Sequence, residues 1–370
     1  MLPVRAGSRA NHEYCITLAA TMKCSYDGLL VVSFGGPEGM DDVMPFLDHV
    51  LRGTNVPLER KRKVAHHYNA FGGVSPINGQ NRALIAALEA ELADHHVPLA
   101  VYWGNRNWHP FLKDAIRQMA KDGIRRSLAF VTAAYSGYST CRQYLDDIHR
   151  ARRAVGSQAP QIDKLRVFYN HPGFIEPMVE RVQEAMQEIP ATQRAATQII
   201  YTAHSIPLGM ARACHYEAQL EEACRLVSLG VGANPWLLAY QSRSGPATQA
   251  WLEPDICDAL ERLRREQAIR YVVVVPIGFI SDHMEVVYDL DTEARHLCDR
   301  IGLRMVRAKT AGTHPRFVTM IRQLIVERMD QASPRLALGV LNAGEDVCPP
   351  DCCPARFDAT AAKRTGVSDS

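Results

Sequence analysis

The residues best suited to chemistry lie between His204 and Glu293. The apolar run Ile199–Ala203 leads directly into His204-Ser205-Ile206-Pro207. An imidazole titrates near neutrality, so a histidine at the end of a strand is suited to act as a general base. The plain alternative is a turn histidine satisfied by its own backbone. A second run, Tyr271–Ile277, ends in Gly278-Phe-Ile-Ser-Asp-His-Met-Glu285. Glu285, Asp289 and Glu293 then recur at i, i+4 and i+8. On an α-helix that spacing sets three carboxylates along one face, roughly 6 Å apart. Such a row opposes its own helix unless a cation neutralises it, and hard oxygen ligands in line suit a divalent ion in transit. Asp282 and Asp291 add negative charge nearby. The alternative is a solvated acidic face. A base facing a carboxylate row suggests proton removal on one side and metal delivery on the other.

A separate group sits near the chain's end, in Cys348-Pro-Pro-Asp-Cys352-Cys353-Pro354. Thiolates this close together are a metal signature, yet three ligands are one short of four. An inert tail is the competing reading. The other cysteines are scattered at Cys15, Cys24, Cys141, Cys214, Cys224, Cys257 and Cys298. Irregular spacing in 370 residues does not match a secreted disulfide scaffold, which points to the cytoplasm.

These residues need elements to hold them. Gly28–Phe34 is a continuous apolar run closed by Gly35-Gly36-Pro37, as expected for a strand buried on both faces. Amphipathic helices and apolar strands then alternate. Helices are expected over Asn81–His95, Phe111–Asp122, Tyr216–Leu229, Pro254–Gln267 and Pro315–Gln331. Strands are expected over Leu99–Trp103, Ser127–Ala133, Ile199–Ala203, Trp236–Tyr240 and Tyr271–Ile277. This rhythm predicts an α/β fold of parallel sheets flanked by helices. The chain also repeats itself. Leu29–Pro37 resembles Ile199–Pro207, and Tyr102–Arg106 with its following helix and strand resembles Tyr240–Arg243 with theirs. Two similar Rossmann-like halves are expected, with a ligand cleft between them at the carboxyl ends of the strands. We expect an N-terminal extension over 1–25, α/β domains over 26–168 and 169–332, and a cysteine-bearing tail over 333–370. Ile16–Met22 is short and broken by threonine, so the extension is read as a non-signal segment, with Met22 as an alternative start.

Composition closes off other functions. Lys and Arg number 42 against 40 Asp and Glu, so no basic excess exists to neutralise nucleic-acid phosphates. No apolar run approaches the ~20 residues of a spanning helix, although loose attachment to a membrane surface stays open. Gly35-Gly36-Pro37 lacks the G-x-G-x-x-G fingerprint of dinucleotide sites.

Several motifs occur together and in order: Ser33-Phe-Gly-Gly-Pro37, Gly72-Gly-Val-Ser-Pro76, His204-Ser-Ile-Pro207, Gln241-Ser-Arg-Ser-Gly-Pro246 with Trp251, and Pro276 through Asp291. Over roughly residues 26 to 330 the chain resembles the ferrochelatase family, in the actinobacterial-like form that acts on coproporphyrin III. The resemblance implies insertion of Fe²⁺, a substrate, into a tetrapyrrole with release of two protons. It implies His204 as base or iron ligand, Glu285 as iron ligand, and Asp289 and Glu293 as the metal path. It implies tetrapyrrole contacts from Ser75, Tyr144 and Phe34. Arg52 could pair with a propionate, or be a solvated arginine. Phe34 stands where some relatives carry a tyrosine that reaches the iron; lacking oxygen, it can only stack on the ring. The resemblance further implies a [2Fe–2S] cluster on Cys141, Cys348, Cys352 and Cys353, with the remaining cysteines buried or incidental. Partners would be the tetrapyrrole, ferrous iron and a downstream enzyme of haem synthesis; the oligomeric state is not readable. The alternatives are action on protoporphyrin IX, a chelatase for another metal or tetrapyrrole, and a non-catalytic haem carrier.

Overall fold

The computed structural model describes residues 26–53, 56–245, 248–267, 269–349 and 352–354. The expected extension over 1–25, with Cys15 and Cys24, and the tail from 355 lie outside them.

The first half runs β1 (Gly28–Ser33), α1 (Met40–Val50), α2 (Leu58–Asn69), α3 (Ile77–Asp94), β2 (Ala100–Asn105), α4 (Leu112–Lys121), β3 (Arg126–Val131), α5 (Gln143–Val155) and β4 (Gln161–Lys164). Helix α6 (Pro172–Gln187) leads to the second half. That half runs β5 (Gln198–His204), α7 (Leu208–Ala211), α8 (Tyr216–Val231), β6 (Trp236–Gln241), α9 (Ile256–Gln267), β7 (Tyr271–Val275), α10 (Met284–Val287), α11 (Arg295–Ile301), β8 (Arg304–Arg307) and α12 (Pro315–Met329). Both sheets are wholly parallel, in the orders β2-β1-β3-β4 and β6-β5-β7-β8. The sequence repeat is therefore a repeat of topology.

Alternation along each strand explains why the runs are apolar throughout. Leu29, Val31, Leu128 and Phe130 face one continuous core shared with Ile199, Tyr201, Val273 and Val275 of the second sheet. Leu30, Val32, Ala129 and Val131 face the opposite way, onto α4 and α5. In the second sheet Ile200, Val272 and Val274 likewise pack on α9 and α11. Each central strand is buried on both faces, which parallel sheets require. Helix α12 closes the shared core with Phe317, Met320, Ile321 and Leu324, packing on α3 and α6.

Several expectations are corrected. The strand expected to reach Ile277 ends at Val275, and the helix expected from Asn81 begins at Ile77. The stretch between Pro37 and Asn81 holds α1 and α2, whose polar faces hid them. The edge strands β4 and β8, Gln-Ile-Asp-Lys and Arg-Met-Val-Arg, are too short and too polar to read as runs. The described part of the tail is irregular but held. Asn170 donates its Nδ2 to Leu341 O at 2.8 Å, and Tyr169 Oη donates to Asn342 O at 3.0 Å.

Candidate active site

His204 is the last residue of β5, at the carboxyl end of a central strand. Its Nδ1 bonds the Ser205 carbonyl, an acceptor only, so Nδ1 carries a proton and Nε2 is the nitrogen that titrates. Nε2 lies 3.5 Å from Glu285 Oε1. Burial would lower this imidazole, but the Glu285 carboxylate, the Ser205 carbonyl and Asp289 outweigh burial and hold it up to about 9. Glu285 is the mirror case. Burial opposes its charge, yet His204 and His283 hold the carboxyl down to about 2. The resting pair is thus imidazolium and carboxylate.

Glu285 is placed by the start of α10. His283 caps that helix, its Nδ1 accepting the Glu285 amide at 3.1 Å. Gln241, at the end of β6, donates its side-chain amide to the Glu285 carbonyl. The next residue, Ser242, has φ of 62° and donates its hydroxyl to Asp289. Gln241 and Ser242 lay within a quoted motif, but their roles were not foreseen.

The carboxylate row is not carried by one α-helix. After α10 the chain widens into a π-helical turn, Asp289–Ala294, with the Glu293 amide reaching back to Tyr288 O at 2.9 Å. The wider turn changes the expected i, i+4, i+8 phase, yet Asp289 still feels both neighbours. Burial first, then Glu285 and Glu293, push its carboxyl up to about 7, against the Ser242 hydroxyl. Glu293 is exposed and raised by burial and Asp255. The row therefore runs from the His204 pair outward to solvent. Asp282 and Asp291 do not belong to it. Arg307 binds both, at 3.1 Å and 2.7 Å, and neutralises the charge the sequence suggested.

The first half faces this pair across the cleft. Tyr144, buried near the start of α5, and Tyr68 of α2 both have their phenols raised, by burial first and then in part by the charge of Glu285. Tyr68 was missed, since nothing marked its helix as part of the site. Next to it, His67 stacks on Tyr288 with ring centroids 3.6 Å apart, joining α2 to the start of the π turn. Arg106 was read only as part of the repeat. It is a buried cation, bonded through Nε to Asp147 at 2.5 Å and lying 4.5 Å over the Tyr144 ring. Phe34 follows β1 and packs edge-on to Phe46. Ser75 is buried, its amide bonded to Pro37 O at 2.9 Å. A Cβ on Gly36 would stand 2.6 Å from Ser75 Cβ, so glycine there lets this loop seat under β1. Arg52 is exposed past α1 and bonded to His49.

The cysteines fall together in part. Cys141 is buried in a π turn, Tyr138–Arg142, and its thiol contacts Cys348. Cys352 and Cys353 Sγ atoms are 3.4 Å apart. Cys214, read as incidental, instead contacts Cys353. Among the described residues no three His, Cys, Asp or Glu side chains are grouped so as to hold a single metal ion.

The chain is similar to several known proteins. The ferrochelatase of Rhodopirellula baltica is 55% identical over 328 residues, covering 89% of this chain and 93% of that protein. The coproporphyrin III ferrochelatase of Streptomyces griseus is 48% identical over 359 residues, 91% of this chain and 96% of that protein. Among solved structures, SirB from Bacillus subtilis with Fe³⁺ is 11% identical, with 82% of this chain and 97% of that one covered and a TM-score of 0.49. The Ferrochelatase family model matches residues 26–329, from β1 through the end of α12. Both sheets, the His204–Glu285 pair and the carboxylate row lie inside that match, and the chain belongs to the ferrochelatase family.

Proposed function

We propose that this protein inserts Fe²⁺ into coproporphyrin III and releases two protons. The observation that carries this reading is the His204 Nε2–Glu285 Oε1 pair, 3.5 Å apart at the strand ends. A porphyrin chelatase must take protons from pyrrole nitrogens and place a metal in their stead. At rest His204 is protonated and cannot act as a base. Fe²⁺ arriving at Glu285 cancels the negative charge that holds the imidazole proton. His204 then sheds that proton to the open cleft, and Nε2 becomes free to take the two pyrrole protons in turn, passing the first to the cleft before it takes the second. Metal arrival and base activation are coupled through one carboxylate. Asp289, titrating near neutrality, and Glu293 at the surface supply the approach. Tyr68 and Tyr144 line the opposite wall, and Ser75 and Phe34 would meet the macrocycle from the first half.

The choice of coproporphyrin III is supported by relatives of that name at 44–48% identity over nine-tenths of this chain. Protoporphyrin IX is the second reading, because the R. baltica relative at 55% is named without a porphyrin. A carrier has no use for a base held against a metal-binding carboxylate.

We also propose a [2Fe–2S] cluster at the cysteine group. The donors fit in kind, since such clusters are held by four thiolates. Bound there, it would supply a one-electron redox centre. The cysteine spacing supports a cytoplasmic protein. No described helix is long and apolar enough to cross a membrane.

The test is anaerobic iron insertion with coproporphyrin III and protoporphyrin IX, in the intact protein and in His204→Ala. Coproporphyrin turnover that disappears in the variant is the expected result. Faster protoporphyrin turnover overturns the substrate. No turnover with either, in protein that still quenches porphyrin fluorescence, overturns the reaction.

A further inference from the structure

Five thiols, not four, meet where the tail returns to the body of the protein. They come from three distant segments. Cys141 belongs to the π turn after β3, Cys348, Cys352 and Cys353 to the tail, and Cys214 to the link between α7 and α8. Their contacts form a row. Cys141 touches Cys348, Cys348 touches Cys352, Cys352 lies 3.4 Å from Cys353, and Cys353 touches Cys214. The row has a thiol pair at each end and Cys352 in the middle.

Two further observations set Cys214 apart from an incidental thiol. Cys353 adopts φ of 52°, a backbone region uncommon for a side-chain-bearing residue, and its side chain is buried beside Cys214 rather than turned to solvent. Gly137 opens the Cys141 turn at a point where a Cβ would meet Thr140 Oγ1 at 2.8 Å and stand 4.0 Å from Cys214 Sγ. The turn that bears Cys141 is thus packed directly against the Cys214 segment.

A [2Fe–2S] cluster needs two thiolates on each iron. Adjacent residues such as Cys352 and Cys353 rarely direct both side chains to one cluster. We infer that the four ligands are Cys141 with Cys348 on one iron and Cys353 with Cys214 on the other, and that Cys352 is spared. This assignment rests on the cluster reading above and replaces one of its ligands. It also gives the cluster a structural reach. Two residues beyond Cys214, Tyr216 donates its hydroxyl to the His204 carbonyl at 3.1 Å. Ligation at Cys214 would pin the tail and the first-half π turn to the segment that positions His204.

The experiment uses the full chain, reconstituted anaerobically with ferrous iron and sulfide. Iron, acid-labile sulfide and the EPR spectrum of the reduced protein are compared in wild type, Cys352→Ser and Cys214→Ser. We expect Cys352→Ser to keep wild-type iron, sulfide and spectrum. We expect Cys214→Ser to lose the cluster or to show a shifted spectrum as a serine oxygen replaces sulfur. Porphyrin fluorescence quenching reports whether each variant is folded, and the Cys352→Ser result decides the matter even if Cys214→Ser is not. If Cys352→Ser loses its cluster, or Cys214→Ser keeps the wild-type spectrum, the assignment is overturned. A wild-type chain that takes up no cluster overturns the cluster reading itself, and with it the assignment.

Discussion

The charge coupling between Glu285 and His204 makes a quantitative prediction. Glu285→Gln keeps the shape of the side chain and removes its charge. Unit charges 3.5 Å apart interact by about 5 kcal/mol at an effective dielectric near 20. The pair lines an open cleft, with the Glu285 side chain 43% exposed, so solvent screening removes roughly half of that. About 2 kcal/mol remains, which corresponds to about 1.5 pKa units. His204, now held up to about 9, should therefore titrate near neutrality in the variant. The assay is NMR of ring-labelled histidine across pH, with His204→Ala assigning the resonance. A shift below half a unit would show that Glu285 does not hold the proton, and the proposed coupling of metal arrival to base activation would fail.

The same pair fixes a stability window. His204 is raised on folding, so its contribution is complete below the unfolded imidazole value near 6.5 and is lost as pH rises through about 9. Glu285 is lowered, so its contribution is present above the usual carboxylate value and is lost as pH falls through about 2. The Tm gap between wild type and Glu285→Gln should be widest between about pH 4.5 and 6.5 and close towards pH 9.

Other consequences are simpler to state. Asp289→Asn should raise KM for Fe²⁺ several-fold and leave KM for porphyrin unchanged. Wild-type metal KM should improve as pH rises through about 7, where Asp289 ionises, and the variant should lose that dependence. Tyr216→Phe should cost about 1 kcal/mol in urea unfolding and lower kcat more than it raises KM, because the hydroxyl positions His204 through its carbonyl. Arg166→Ala should destabilise by about 3–5 kcal/mol. That change leaves Glu327 buried without the guanidinium it binds at 2.7 Å, and calorimetry or urea titration would read it.

What could be read from the chain depended on how local the physics was. Strands buried on both faces are apolar without interruption, so all the central strands were legible. His204 ends such a strand and Glu285 lies in the segment after one, which is why both stood out. Asp289 and Glu293 were legible as a row but not as a π turn, since helical spacing in sequence does not reveal where the backbone hydrogen bonds shift to i−5. Asp282 and Asp291 misled because Arg307, which neutralises them, comes from β8. Tyr68 escaped because its place in the site arises only when the two halves meet, and Arg106 because Asp147 and the Tyr144 ring that hold it lie far from it in sequence. Cys214 escaped for the same reason: nothing around it in sequence shows that the tail returns to it.

The duplicated frame sets His204 in one half against an apolar residue in the other. At the offset of the strand-and-turn repeat, Phe34 after β1 corresponds to His204 at the end of β5. An apolar ring and an imidazole thus occupy matching places at the carboxyl ends of two central strands. A flat macrocycle lying between them would meet a stacking surface on one side and a proton acceptor on the other. The third strands extend the contrast. A π turn that opens a helix follows β3 directly and follows β7 after α10, and such turns recur at functional sites. One presents Cys141 to the tail; the other carries Asp289 and Glu293. Symmetry of fold thus supplies two equivalent mounts, and the chemistry depends on their being filled differently. If that is so, Phe34→His should not create a second working base. The new imidazole would stand by the Arg106 guanidinium, which lies 5.9 Å over the Phe34 ring and would oppose its proton, whereas Glu285 holds the proton of His204. The variant should retain insertion through His204, and combining it with His204→Ala should restore none of the lost activity.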